Sequence, residues 1–185
     1  MQPPTLGFGS DQIDWYKDTA TQITTLSPQT KLTFAFHIHI AKFATVFSKY
    51  GSVKDKAYFK PVDIDQHPNK VDGDFGYIGE YIDTAFDEEG RVWTSIKKLG
   101  VDSILVGHRH SNSASAVYNG IRFQFGQKSS TYERTNFQLP DGTIVEVSNG
   151  APPQDAVPLV GGTVMPLSKE DGSIKDPYIY LCKNP

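Results

Sequence analysis

Cysteine is almost absent from this chain, and so are long hydrophobic runs. The one cysteine, Cys182, cannot form a disulfide within the chain and stands near the C-terminus, away from any nucleophile motif, so we interpret it as an incidental thiol. No stretch reaches membrane-spanning length, and residues 1–5 lack the basic start and apolar run of a secretory signal. These absences predict a soluble protein, cytoplasmic by default, although a targeting segment on a missing part of the protein would change that prediction.

The sequence also has no excess of positive charge. Its 18 lysines and arginines face 21 aspartates and glutamates, which gives a formal net charge of -3. A chain of this charge has no broad attraction to a polyanion, so neither nucleic acid nor a membrane is an expected partner. Its 185 residues, 38% of them hydrophobic, suffice for one domain with a sizeable core. We find no internal repeat.

The first two thirds of the chain alternate between helical and strand patterns. Apolar residues recur at helical spacing over residues 11–24 and again over residues 87–99. Short apolar runs at residues 31–37 and 101–106 predict two buried strands. Residues 48–81 show no steady periodicity and are predicted to form a long irregular loop, a kind of segment that is usually functional.

From residue 113 onward the pattern indicates antiparallel hairpins. Turn residues separate three pairs of strand-like segments: Asn119-Gly120, Pro140-Asp141-Gly142 and Glu170-Asp171-Gly172. The chain is therefore predicted to be α/β, with a mixed sheet followed by antiparallel hairpins. In such a sheet, the loops at the carboxyl ends of the strands carry the site.

Four of the five histidines form two His-x-His pairs directly after the two predicted strands. His37 and His39 follow the first strand, and His108 and His110 follow the second. Neutral imidazole is a common ligand for divalent metals, and residues two apart on a tight turn can serve two ions. Taken alone, each pair is equally compatible with histidines that only bond to the backbone.

The longer pattern around the second pair resembles a known family. Gly107-His108-Arg109-His110 follows the strand of residues 101–106 and precedes Ser111-Asn112 and a hairpin at residues 118–122, while Phe34-Ala35-Phe36-His37 stands upstream. This order resembles the last signature blocks of the calcineurin-like metallophosphoesterases. The resemblance is closest to the purple-acid-phosphatase-like branch, in which a helix like that of residues 11–15 precedes the histidine strand.

The resemblance implies a fold, a metal centre and a reaction. The fold would be the C-terminal half of a four-layer α/β/β/α sandwich. His37 and His108 would bind one metal of a dinuclear centre and His110 the other, with manganese, iron or zinc as the metal. Relatives often have proline in place of His39, so it is not counted as a ligand. The reaction would be hydrolysis of phosphate monoesters by a metal-activated hydroxide.

Substrate contacts are weaker predictions, and no catalytic residue is assigned. Asn112 and Arg109 are candidates for binding the substrate phosphate, although Arg109 occupies the variable position of the motif. Tyr132 and Arg134 could line the mouth of the pocket or be ordinary loop residues. The substrate stays open among protein phosphoserine, nucleotides and small phosphomonoesters.

Three blocks that the family carries on its N-terminal side are missing from this sequence: Asp-x-His, Gly-Asp-x-x-Asp and Gly-Asn-His. Asp65-Gln66-His67 spells the first block but follows the His37 strand and lies in the loop, and Asp72-Gly73-Asp74 is interpreted as a turn. Residues 1–185 are therefore expected to be one incomplete domain with an exposed sheet edge. A missing N-terminal half or another chain would complete the sheet.

Two functions follow from this inventory. The first is a metal-dependent phosphoesterase whose centre is shared with the missing half. The second is a catalytically silent metal-binding or protein-interaction module that keeps the scaffold and uses the loop of residues 48–81 for recognition. The missing carboxylates favour the second, and the histidine blocks favour the first.

Overall fold

The computed structural model describes residues 7–83, 90–131, 133–148 and 150–182, and its largest element is a mixed six-stranded sheet. The strand order is β1-β4-β6-β5-β3-β2. The strands are β1 (Thr33–Phe36), β2 (Val62–Asp63), β3 (Phe75–Ile78), β4 (Ser103–Val106), β5 (Asn112–Tyr118) and β6 (Ile121–Phe125). β1, β4 and β6 pair in parallel, and the other pairs are antiparallel.

The apolar core lies between one face of this sheet and the helices. The helices are α1 (Ser10–Leu26), α2 (Lys42–Phe47) and α3 (Arg91–Lys98), and a short 3-10 helix, Ser48–Tyr50, follows α2. Phe43 of α2 meets Phe123 and Phe125 of β6 edge to face, with ring centres 5.1 and 4.9 Å apart. All three rings are fully buried. Burial of such rings is a large hydrophobic contribution, so α2 is fixed firmly against β6.

The second face of the sheet is polar. Ser103, Ser115 and Gln124 alternate with the core residues of their strands and are buried without being apolar. The C-terminal strands β10 (Gly161–Val164) and β11 (Tyr178–Leu181) form a hairpin whose Ile179 approaches β3 at Gly76. A Cβ on Gly76 would lie 2.0 Å from the Ser113 carbonyl oxygen, so glycine is required there for β3 to pair with β5.

A further small sheet follows the large one along the chain. Its strands are β7 (Thr135–Gln138), β8 (Ile144–Val147) and β9 (Val157–Pro158), in the order β8-β7-β9. The mixed sheet and all three predicted hairpins are confirmed: β5 pairs with β6, β7 with β8, and β10 with β11. No helix in the described ranges is long and apolar enough to cross a membrane.

The predicted irregular loop of residues 48–81 was partly wrong. It contains the 3-10 helix, β2 and β3, and β3 is hydrogen bonded on both sides. Four residues with a glycine among them give little periodicity, so the sequence pattern did not reveal a strand. The predicted helix at residues 87–99 is observed as Arg91–Lys98, and residues 87–89 lie outside the described residues.

The large sheet has two edge strands in the described part of the chain, β1 and β2. β1 pairs with β4 only, and its residues alternate between exposed and half-buried side chains. Its neighbour β4 is almost entirely buried. Aromatic packing by Phe8 and Tyr16 covers Phe34 on the helix side, while Ala35 remains exposed.

Candidate metal centre

Two of the predicted ligands meet where β1 and β4 end. The two strands are parallel, and their last residues, Phe36 and Val106, pair with each other. The residues that follow therefore lie side by side at the carboxyl ends of the strands. The Gly107 amide donates to the His37 carbonyl oxygen at 2.9 Å. The ring centres of His37 and His108 lie 5.5 Å apart with their planes 83° apart. The structure therefore brings His37 and His108 together as the two-strand pattern predicts.

The turn that carries His108 has an unusual backbone. His108 is in the left-handed region, with φ of 67°, and the Arg109 amide donates back to the Gly107 carbonyl at 2.8 Å. A Cβ on Gly107 would lie 3.4 Å from His37 Nδ1, in ordinary van der Waals contact, so this residue lies directly beside the His37 ring. Burial, followed by the nearby His37, lowers the pKa of His108. Neutral imidazole, the form that binds metals, is therefore favoured.

His110 points to a different partner. Its Nδ1 lies 3.2 Å from Glu133 Oε2, and both side chains are largely exposed. His110 also lowers the pKa of His108, so the two rings are near enough to interact electrostatically. Within the described ranges, no group of three or more histidine, cysteine, aspartate or glutamate side chains is arranged to hold a metal ion. The dinuclear centre therefore stays a prediction.

His39 is buried behind the pair. Its ring centre is 6.3 Å from that of His108, and its Nε2 lies 3.2 Å from the Asp83 carbonyl oxygen. Burial, with smaller contributions from Arg109 and His108, lowers the pKa of His39 to about 3. Its edge contacts with Phe43 and Phe125 place this neutral ring in the core.

The loop motif Asp65-Gln66-His67 has structural contacts. Asp65 accepts a hydrogen bond from the Gly76 amide at 3.0 Å and one from Lys70 at 2.7 Å. His67 Nδ1 accepts from the Asn69 amide, and its ring meets Tyr50 edge to face at 5.2 Å. These contacts hold the segment before β3 and do not join the histidine pair.

The weaker substrate candidates are both engaged by protein groups. Asn112 is 1% exposed, and its Oδ1 accepts from the amides of Gly79 and Glu80, each at 3.0 Å. Arg109 is bonded to Asp83 and, at 3.3 Å, to Glu80. Its guanidinium also lies 4.6 Å from the centre of the Tyr81 ring. No observation tests whether either residue contacts a substrate.

Sequence reasoning missed Glu80, which connects several parts of the site. Its side chain is 8% exposed and accepts from the Ser111 amide at 3.1 Å, from Arg109 at 3.3 Å and from Arg134 at 3.4 Å. Glu80 lies two residues after β3, and Ser111 lies directly before β5. Because β3 and β5 are paired antiparallel strands, the two residues are neighbours. Only a correct prediction of strand β3 from the sequence could have pointed to Glu80.

Comparison of the chain with protein-family models, with curated proteins and with solved structures found no match. The resemblance to the metallophosphoesterases therefore depends on the residues of this sequence. The geometry of the site supplies a separate test of whether those residues suit a metal.

The spacing of His37 and His108 suits joint ligation of one ion. Imidazole nitrogens bind zinc at about 2.0–2.1 Å, so two rings sharing an ion have centres about 4.5–5.5 Å apart. The observed 5.5 Å lies at the upper end of that range. Two imidazoles fill only half of a four-coordinate shell, so further ligands must come from outside the pair.

A cavity of about 640 Å³ opens beside His108 and His110. It is lined by Lys56, Glu80, Tyr81, His108, Arg109, His110, Glu133, Arg134 and Ser148. Arg134, left open by the sequence, does line this cavity, whereas Tyr132 lies outside the described residues. His37 instead borders a smaller cavity of about 230 Å³ with Phe8, Phe36 and Ile40.

Proposed function

We propose that this chain provides the histidine side of the active centre of a metal-dependent phosphoesterase. The observation that carries the proposal is the His37–His108 pair at the ends of adjacent parallel strands, with ring centres 5.5 Å apart. The finer fold, half of a four-layer α/β/β/α sandwich, belongs to the same proposal. The mixed sheet with helices on its apolar face is compatible with it.

In this proposal His37 and His108 bind one metal and His110 binds the other. The Glu133 carboxylate beside His110 Nδ1 would fix the tautomer that leaves Nε2 free for ligation. When bound, a pair of manganese, iron or zinc ions supplies Lewis acidity and lowers the pKa of water, which is the chemistry that phosphate monoester hydrolysis needs.

The remaining ligands would come from a partner that completes the sheet. β1 leaves one side without a hydrogen-bonded strand in the described part of the chain, and Ala35 is exposed there. A parallel strand added beside β1 would have its carboxyl end next to His37. Residues that follow this strand could deliver carboxylates to the histidine pair. The N-terminal half of the same protein or another chain could supply this strand.

A catalytically silent metal-binding or protein-interaction module is the second candidate. The contacts of Arg109 and Asn112 favour it, because both side chains bond to protein groups at the place where a substrate phosphate would be held. Such a module would bind metal weakly through the histidine pair without turning over a phosphate ester.

Metal titration of histidine variants tests the shared centre. His37→Ala and His108→Ala should each weaken binding of Zn²⁺ or Mn²⁺ at least ten-fold in calorimetry, because each removes one of two ligands. His67→Ala is the matched control, since His67 bonds in the loop before β3, and its metal affinity should match the parent chain. Equal metal affinity in all three variants would falsify the proposal.

Turnover separates the two candidates. The metal-loaded chain is assayed with p-nitrophenyl phosphate, and metal-dependent release of p-nitrophenol that His37→Ala abolishes supports the phosphoesterase. Metal binding that needs His37 and His108 but gives no turnover supports the silent module when the assay includes the strand that completes the sheet beside β1, because without that strand the proposed centre lacks half of its ligands.

A further inference from the structure

The cavity beside His108 and His110 is lined by charged side chains. Three cationic side chains line it, Lys56, Arg109 and Arg134, against two carboxylates, Glu80 and Glu133. Asp83, just outside the lining, and Glu80 both bond to Arg109, so Arg134 and Lys56 are the two lining cations best placed to attract an anion.

Arg109 is committed to structure within this cavity. Its side chain is 12% exposed, and it is bonded to Glu80 and Asp83 with its guanidinium over the Tyr81 ring. Moving it would take the guanidinium away from Asp83 and leave Glu80 with only its longer contact to Arg134. Arg109 therefore forms part of the cavity wall and contributes to its electrostatic potential. It is not expected to move toward a ligand.

Arg134 is held much less tightly. Its side chain is 53% exposed, and its contact with Glu80 is 3.4 Å long, at the limit of a hydrogen bond. The same Glu80 oxygen also accepts from Arg109, so Arg134 has only a share of that charge. A guanidinium carries five N–H donors in a planar fork that matches a phosphate. Most of that fork faces the cavity or solvent.

Lys56 also lies near the Tyr81 ring. Its Nζ is 5.7 Å from the ring centre, and its side chain is exposed at the cavity wall. A lysine ammonium in this position adds a point charge without a fixed direction. Arg134 and Lys56 line the same cavity. Arg134 offers hydrogen-bond donors in a fixed planar arrangement, and Lys56 offers a positive charge on a flexible side chain.

We propose that Arg134 and Lys56 form a recognition site for the phosphate of a phosphomonoester, with Arg134 exchanging its Glu80 contact for the ligand. The volume of about 640 Å³ far exceeds one phosphate, so the ester group enters the cavity as well. This inference rests on the proposed function for the reaction that follows binding. The binding itself needs only side chains of this chain.

Phosphate binding without metal tests the site. Inorganic phosphate and phenyl phosphate are titrated into the chain in EDTA and followed by calorimetry. Arg134→Ala should weaken both about ten-fold, as expected for loss of a charge-assisted contact. Arg134→Lys should recover part of the loss, because it keeps the charge without the fork. Lys56→Ala should weaken binding about three-fold.

Two further variants sharpen the test. Lys97→Ala removes an exposed lysine from α3, outside the residues that line the cavity, and should leave phosphate affinity unchanged. Glu80→Gln removes the charge that competes for Arg134 and should tighten binding. Binding that is equal in Arg134→Ala and the parent chain, or absent from the parent chain, overturns the inference.

The outcomes also distinguish this site from the metal centre. Phosphate binding that needs Arg134 but no metal affinity at His37 and His108 sustains this inference and removes the proposed function. Metal binding at the histidine pair without Arg134-dependent phosphate binding does the reverse. Tighter binding of phenyl phosphate than of inorganic phosphate supports an ester group within the cavity, and equal binding overturns that part.

Discussion

Glu80 shows how one side chain can hold a site together. Its carboxylate contacts the Ser111 amide, Arg109 and Arg134, so it links the turn after β4, the segment after β3 and the residue before β7. Buried carboxylates with several donors are stable only while those donors stay in place. Loss of Glu80 would leave Arg109 and the Ser111 amide short of an acceptor.

Replacement of Glu80 should therefore lower stability. Glu80→Ala is expected to reduce the free energy of unfolding by about 1–3 kcal/mol, since the buried Ser111 amide loses its acceptor and the half-buried Arg109 keeps only Asp83. Glu80→Gln keeps an acceptor of the same shape and should cost clearly less. Urea unfolding of both variants measures the difference, and equal stability of Glu80→Ala and the parent chain would contradict this account.

At this scale the sequence predicted the meeting of His37 and His108 better than it predicted the residues that surround them. The ends of two parallel strands place His37 and His108 together, and strand patterns at residues 31–37 and 101–106 are enough to foresee that. Glu80 and Asp83 approach Arg109 because β3 pairs with β5, a contact between segments about 35 residues apart that no local pattern encodes. The Glu133 partner of His110 depends likewise on tertiary packing.

Among the elements, β1 is one of the two edge strands of the large sheet, and it is the one that ends directly before His37. It has a strand partner, β4, on one side only. The Thr33 and Ala35 side chains of β1 are exposed, although the neighbouring β4 is almost entirely buried. Exposed edges of this kind readily pair with another strand, and natural proteins protect them with charged residues. Within Thr33–Phe36 no residue is charged.

A charge on β1 should weaken association with another strand. Ala35→Lys is expected to reduce self-association, measured by sedimentation over a range of concentrations, while changing the free energy of unfolding by less than about 0.5 kcal/mol. Thr21→Lys, at an exposed position of α1, controls for the added charge. The same degree of association in both variants, or none in the parent chain, would contradict the idea of a pairing edge.

The elements themselves were largely predictable from local chemistry. Asn119-Gly120 specifies a two-residue turn, with positive φ at both residues, and the hairpin β5–β6 follows from it. A short strand with a glycine in it carries no such signal, so the sequence pattern predicts a loop where β3 is found. Glycine is required at position 76 because close pairing with β5 leaves no room for a Cβ there.

For the molecule as a whole, metal binding and stability should be linked. A ligand that binds only the folded chain stabilises it, by about 2.7 kcal/mol at one hundred times its Kd. For a chain of 185 residues this corresponds to a rise in Tm of about 5–10 °C. Zn²⁺ or Mn²⁺ should produce such a rise in differential scanning calorimetry, and EDTA should reverse it.

The double variant His37→Ala/His108→Ala is the comparison for this prediction. It should show no metal-dependent rise in Tm, because both proposed ligands of the first ion are gone. His67→Ala should keep the full shift. A rise of the same size in the double variant would place the metal elsewhere on the chain.

The pairing of β1 with β4 also has a consequence for the order of folding. Thr33 and Ser103 are paired although 70 residues separate them, whereas β5 and β6 are joined by a two-residue turn. Closing a long loop costs more chain entropy and is slower than forming a local hairpin. The two imidazoles are therefore expected to meet late, after the β5–β6 hairpin has formed. Added metal should slow unfolding of the native chain while leaving its rate of folding nearly unchanged.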